Sequence, residues 1–248
     1  MDKLEVRTIF AAVFEKSVLD PLLEILGEPG KRPDLSLADS KKRSGLSEGA
    51  MRFWGTKGTV DYFKSKGFNA TSVVSGFDFD GRVKTLDRAI FSRILADRTN
   101  KSHLDELKNE LYSSSVSEKS KRDSSRFTRT VDSSLRHSRP DRESDPRLRE
   151  DDRNSEPFDA VIVDLYAPDK NNFPESMDIG GQALIRAAIK NYKNVAVAFD
   201  KESIKDLADE LKANDGSTTL SFRKAQAQKA VKFIAERGRQ ESKLFLVC

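Results

Sequence analysis

The stretch "GRVKTL", residues 81–86, sets two cations, Arg82 and Lys84, on alternate positions around Val83, with the hydroxyl of Thr85 just behind. It follows the acidic run "SGFDFD" and precedes "DRAIFSRILADR", whose apolar spacing predicts a helix. Cations and a hydroxyl at the mouth of a helix suit an anion, whereas a solvated surface is the plain alternative. "GTKGT", residues 55–59, repeats that chemistry: Thr56, Lys57, Gly58 and Thr59 open another predicted helix with hydroxyls, a lysine and unpaired backbone N–H groups. This is not the Walker spacing, and on its own a helix cap at Thr56 or Thr59 explains it equally well. Joined by Lys16, which follows the first predicted strand, and by Arg82 and Thr85, it describes a grip for a phosphate monoester. Tyr166 in "DLYAP" and the "DIGG" turn, residues 178–181, complete the set of hydroxyls, glycines, cations and acids.

Such residues meet only if the chain folds them to one edge. Apolar runs rich in β-formers predict strands at 6–14, 50–55, 69–77, 158–166 and 193–199. Helical spacing predicts helices over 17–26, 59–68, 85–111 in one or two pieces, 178–192, 201–214 and 217–240, the last with Ser217 and Thr218 as caps. Strands alternating with helices predict an α/β domain whose mainly parallel sheet is covered on both faces. Ligands of such folds bind at the carboxyl ends of the strands, where the residues above fall.

The rest of the chain bounds the function. With 248 residues it can bury a sizeable core, yet 34% charged against 37% hydrophobic residues implies a solvated part beside the folded one. Two segments answer to that: a polar loop insertion at 28–48, and a Ser/Arg/Asp-rich insertion at 113–156, too poor in apolar residues to fold and read as disordered. The folded domain would then comprise 1–112 and 157–242. The serines of 113–156 lie near arginines, so a phosphorylation-dependent partner is one reading and a neutral surface insertion the other. A net charge of +4 leans toward anionic ligands without demanding nucleic acid. One cysteine, Cys248, and two histidines, His103 and His137, leave no disulfide framework and point to no metal site. The first residues do not read as a signal peptide and no apolar run reaches membrane-spanning length, so no membrane partner is expected and a cytoplasmic location is the default.

"GRVKTL", "DLYAP" and "DIGGQALIRAAIKN" occur here in the order seen in one family. The chain resembles the cyclohydrolase domain of the bifunctional purine-biosynthesis enzyme AICAR transformylase/IMP cyclohydrolase. The resemblance implies a methylglyoxal-synthase-like three-layer fold, a homodimer, a purine ribonucleotide substrate and no cofactor. It implies a stand-alone cyclohydrolase, since the chain ends where the first domain of the family would. Carried over by motif, the catalytic residues are Lys84, Tyr166, Asp178 and Lys190. Lys84 and Tyr166 would face the formyl group of the substrate, while Asp178 and Lys190 would form a pair that orients the amide and moves protons. Lys16, Thr56, Lys57, Gly58, Thr59, Arg82 and Thr85 would hold the phosphate, and the backbone of Ile179 and Gly180 would meet the base. The alternatives are a nucleotide-phosphate sensor or scaffold built on the same pocket, and methylglyoxal synthase. Departures from the family pattern gather near these residues: Phe14 stands where the family has serine, Asp87 where it has histidine, Asp164 where it has asparagine, and Arg93 where it has a small residue.

Overall fold

The computed structural model describes residues 2–26, 51–73, 85–109 and 156–246. The insertion at 28–48, the insertion at 113–156 except its last residue, and the candidates Arg82 and Lys84 lie outside the described residues. The chain divides into two compact units, one of residues 1–95 with 158–248 and the other of residues 96–157.

The first unit carries the sheet. Strands β1 (Lys3–Glu5) and β2 (Thr8–Val13) lead through a 3₁₀ turn, Lys16–Leu19, into helix α1 (Asp20–Leu26). Then come β3 (Arg52–Gly55), α2 (Lys57–Ser65), β4 (Ala70–Ser72) and α3 (Arg88–Leu95). After the second unit follow β5 (Ala160–Asp164), α4 (Ile179–Lys190), β6 (Ala196–Ala198), α5 (Lys201–Ala213), β7 (Ser217–Thr219) and α6 (Leu220–Phe245). Five strands form a parallel sheet in the order β4-β3-β2-β5-β6. Alternate residues of β2 point to opposite faces, as strand geometry requires. Ile9, Ala11 and Val13 pack with Leu19, Leu22, Phe63, Ile204 and Leu207 on one side. Phe10 packs with Ile90, Ile94, Leu184, Ile185 and Ile234 on the other. The expected three-layer α/β architecture is therefore present, with helices on both faces of a parallel sheet.

Two details differ from expectation. β1 and β7 pair antiparallel as a separate ribbon, with Leu4 opposite Thr218. Ser217 and Thr218 thus belong to a strand, and the cap of α6 is Thr219, whose hydroxyl accepts from the Phe222 N–H. The third predicted strand runs Ala70–Ser72 and leaves out Asn69 and Val73, while residues 74–77 lie outside the described residues.

In the second unit, residues 101–109 are helical. Asp97 accepts from the N–H and hydroxyl of Thr99, and the Asn100 side chain accepts from the Ser102 N–H, so two short polar side chains order the turn before this helix.

Candidate active site

The carboxyl ends of β2, β3 and β5 open into a cavity of about 1270 Å³. Its walls come from the loop after β2, the first turn of α2, Thr85, the β5 end and the turn before α4. This is where a parallel sheet leaves its strand ends unobstructed.

One end of the cavity brings Lys16 to the first turn of α2. β3 runs into α2 with Gly55 so close to β2 that a Cβ there would lie 2.1 Å from the Ala11 carbonyl oxygen, which only glycine permits. Thr56 caps α2 in extended conformation, but its hydroxyl makes no capping bond to the helix amides. Lys16 crosses above them: a Cβ on Gly58 would sit 3.6 Å from Lys16 Cε and 4.0 Å from its Nζ. The Lys16 ammonium donates to the carbonyls of Val13 and, at 3.1 Å, of Phe14. Burial draws this amine's pKa down, and the charges of Asp164 and Glu15 pull it back up. A fixed ammonium thus stands over the positive end of a helix, an arrangement that favours phosphate.

Two of the phosphate candidates have partners within the protein. The Thr59 hydroxyl is fully buried; it accepts from the Val13 N–H at 3.3 Å and lies 3.2 Å from the Thr56 hydroxyl. It joins β2 to α2 and is not among the side chains that line the cavity. The Lys57 ammonium is exposed and paired with Asp61 one turn along, at 2.7 Å, so Lys57 lines the cavity with its charge already engaged.

The other end holds the acid chemistry. Asp178 is the N-cap of α4, accepting from the Gly181 N–H at 2.6 Å. Gly180 and Gly181 stand in close approach: a Cβ on Gly180 would lie 2.3 Å from Thr85 Oγ1, and one on Gly181 would lie 2.5 Å from Asp178 Oδ2, so a side chain at either would displace its neighbour. Burial pushes the Asp178 carboxyl above its ordinary range; the Gly181 bond and Arg237 oppose this, while Glu241 and Asp164 add to it. Tyr166 lines the same cavity, and burial first, then the charge of Asp178, holds its phenol protonated to higher pH than usual. Ile179 and Gly180 also line it, as does Thr85.

Lys190 is not there. It is exposed and ends the helix that Asp178 caps. Twelve residues of helix put their backbones about 18 Å apart, so one chain does not bring the expected pair together. Beneath Asp178 lie residues that sequence reasoning passed over. Arg237 on α6 donates to the Leu165 carbonyl at 3.3 Å, and Glu241, one turn on, accepts from Gln182 at 2.6 Å. Their only signal was an i, i+4 charge pair at the end of the last predicted helix.

The departures from the family pattern find places in the fold. Asp87 accepts from the Ala89 and Ile90 N–H groups at 2.8 and 3.3 Å, starting α3. Asp164 accepts from the Glu15 N–H at 2.9 Å and so fixes the loop that carries Lys16. Arg93 is buried with its guanidinium 4.3 Å from the Trp54 ring centre and 3.8 Å from that of Phe158, a cation–π sandwich. Phe14 and Asp164 both line the cavity, and Phe14 does so with a largely exposed ring.

No protein-family model matches the chain. The bifunctional purine biosynthesis protein PurH of Bradyrhizobium diazoefficiens is 32% identical over 187 residues, which are 71% of this chain and 27% of that protein. PurH of Rhizobium johnstonii is 25% identical over 241 residues, or 92% of this chain and 33% of the relative. PurH of Cereibacter sphaeroides is 44% identical over 80 residues. The crystal structure of ForH superposes with a TM-score of 0.59 at 18% identity, covering 97% of this chain and 98% of ForH, and shares its fold. The chain spans about a quarter to a third of the length of the first two relatives and resembles a PurH-like domain over most of its own.

Proposed function

We propose that the chain catalyses a step of purine biosynthesis, the closure of 5-formamidoimidazole-4-carboxamide ribotide to inosine monophosphate. The observation that supports this most is the polarity of one cavity: a lysine over a helix start at one end, and a protonatable carboxyl beside a phenol at the other. In the first step the carboxamide nitrogen attacks the formyl carbon, loses one proton, and the formyl oxygen gains one. In the second, the C–O bond breaks, the former formamido nitrogen loses its proton, and water departs. The steps need a group that takes and returns protons near neutrality, for which a carboxyl pushed upward by burial is suited. They also need a donor to the developing oxyanion, a role for the Tyr166 phenol and, by motif, for Lys84. No step calls for a metal or redox group.

For Lys190 to act with Asp178, it must come from a second copy of the chain, so the working form on this reading is a homodimer. The sensor or scaffold reading draws on the same fact, since a single chain holds a ligand grip without Lys190. Incubating the purified protein with the formylated ribotide, and following ring closure by ultraviolet absorbance, tests the proposal. Turnover is expected; tight binding of inosine monophosphate without turnover would leave the sensor.

A further inference from the structure

Phe14 is 70% exposed although it is a large apolar ring, and it lines the cavity. Its ring centre lies 5.3 Å from that of Tyr166, tilted by 52°. Tyr166 is itself 37% exposed, and Ile179, 57% exposed, lines the same cavity. Bare aromatic surface at the mouth of a polar cavity is unfavourable in water and is relieved when a flat apolar face covers it.

Phe14 also connects the two ends of the site. Its carbonyl accepts from the Lys16 ammonium, which stands over Gly58. Its ring meets Tyr166, which lies within the electrostatic reach of Asp178. A ligand that reaches from Lys16 to Asp178 shares one cavity with the aromatic pair, of which Phe14 adjoins the first and Tyr166 feels the charge of the second.

We infer that Phe14 and Tyr166 form a stacking wall for the planar heterocycle of the ribotide, with Phe14 as a specificity-determining residue of this chain. The inference rests on the ribotide reading of the cavity given above. It assigns Phe14 to the base and leaves the phosphate to Lys16 and the start of α2. Phe14 therefore discriminates ligands with a base from those without one.

Calorimetric titration of the full chain with two probes, inosine monophosphate and ribose 5-phosphate, tests this. Phe14→Ala is expected to weaken inosine monophosphate by about 5- to 150-fold, the range of base–aromatic stacking. Ribose 5-phosphate should lose less than about twofold, since a base is what the wall recognises. Phe14→Tyr should restore most of the nucleotide affinity, because it keeps the ring. The exposed position makes misfolding of these variants unexpected, and circular dichroism of each checks it. Equal weakening of both probes would make Phe14 a support for the Lys16 loop and overturn the inference. So would unchanged nucleotide binding in Phe14→Ala. Failure of the unsubstituted protein to bind either probe would instead remove the ribotide reading, and the stacking wall with it.

Discussion

Gly58→Ala separates the stability of α2 from the function of its first turn. In a helix the Cα–Cβ bond leans toward the N-terminus, the direction in which the free N–H groups point. The added methyl therefore enters the space where a bound anion would meet those groups. The fold has room for it: the nearest atoms are Lys16 Cε at 3.6 Å and Nζ at 4.0 Å, ordinary contact distances. Gly58 has no positive φ, so alanine adopts the same backbone. Replacing a helical glycine with alanine gains about 0.5–1 kcal/mol, which for a domain of this size raises Tm by roughly 1–4 °C. Binding moves the other way. A charge-assisted hydrogen bond is worth about 1.5–3 kcal/mol, and the methyl intrudes on one such contact and on the path to Lys16. Affinity for inosine monophosphate should fall by about 10- to 150-fold. Thermal unfolding and calorimetric titration on the same sample give both numbers. Undiminished affinity in a stable variant would refute the placement of the phosphate at Gly58, and a large loss of stability would refute the account of α2.

Three further outcomes follow from the same geometry. Asp178→Asn should slow ring closure by about 10²–10⁴. It should also unfold at higher temperature than the unsubstituted protein at neutral pH: the folded carboxyl has a raised pKa, so its ionisation opposes folding as pH rises through that value, and the difference should fade in acid, which melting curves against pH will show. Lys84→Ala, chosen from the "GRVKTL" motif, should cost about 10²–10³ in turnover as the loss of one oxyanion-stabilising group, and unchanged turnover would exclude it. Mixing Asp178→Asn with Lys190→Ala, each inactive alone, should restore roughly a quarter of normal activity if a two-fold dimer shares residues between copies, because half the dimers would be mixed and each would keep one intact site. No restoration would remove Lys190 from a shared site.

The sequence made the sheet legible where strands were buried on both faces. β2, β5 and β6 appear as "TIFAAV", "AVIVD" and "AVA" inside longer apolar runs, because parallel strands under two helical layers carry no polar face. β1 and β7 were missed for the opposite reason. Each is three residues long, too short for periodicity, and each exists as a strand only through its partner more than two hundred positions away. Thr218 carried the local preference of a cap and was overridden by that pairing; the neighbouring threonine caps instead.

At the site, legibility tracked whether a residue's role was local. Asp178 and its two glycines form one turn, so their types and spacing already imply a capped helix start with a carboxylate folded over it. The bond of the Thr59 hydroxyl to Val13 was not legible, because it depends on a strand 46 positions earlier. Arg237 and Glu241 could not be found at all: what sets them apart is the carboxyl they flank, 59 positions before Arg237, and nothing in the pattern of α6 marks it. These two charges pull the Asp178 proton in opposite directions, Arg237 releasing it and Glu241 retaining it. Neutralising Arg237 as Arg237→Gln should therefore move the acid limb of the activity profile upward in pH, and Glu241→Gln should move it downward. Gln182 and the Leu165 carbonyl hold the pair in place in the unsubstituted protein. A role confined to packing would lower stability in both variants and leave the limb where it was, so shifts of opposite sign separate electrostatic tuning from support.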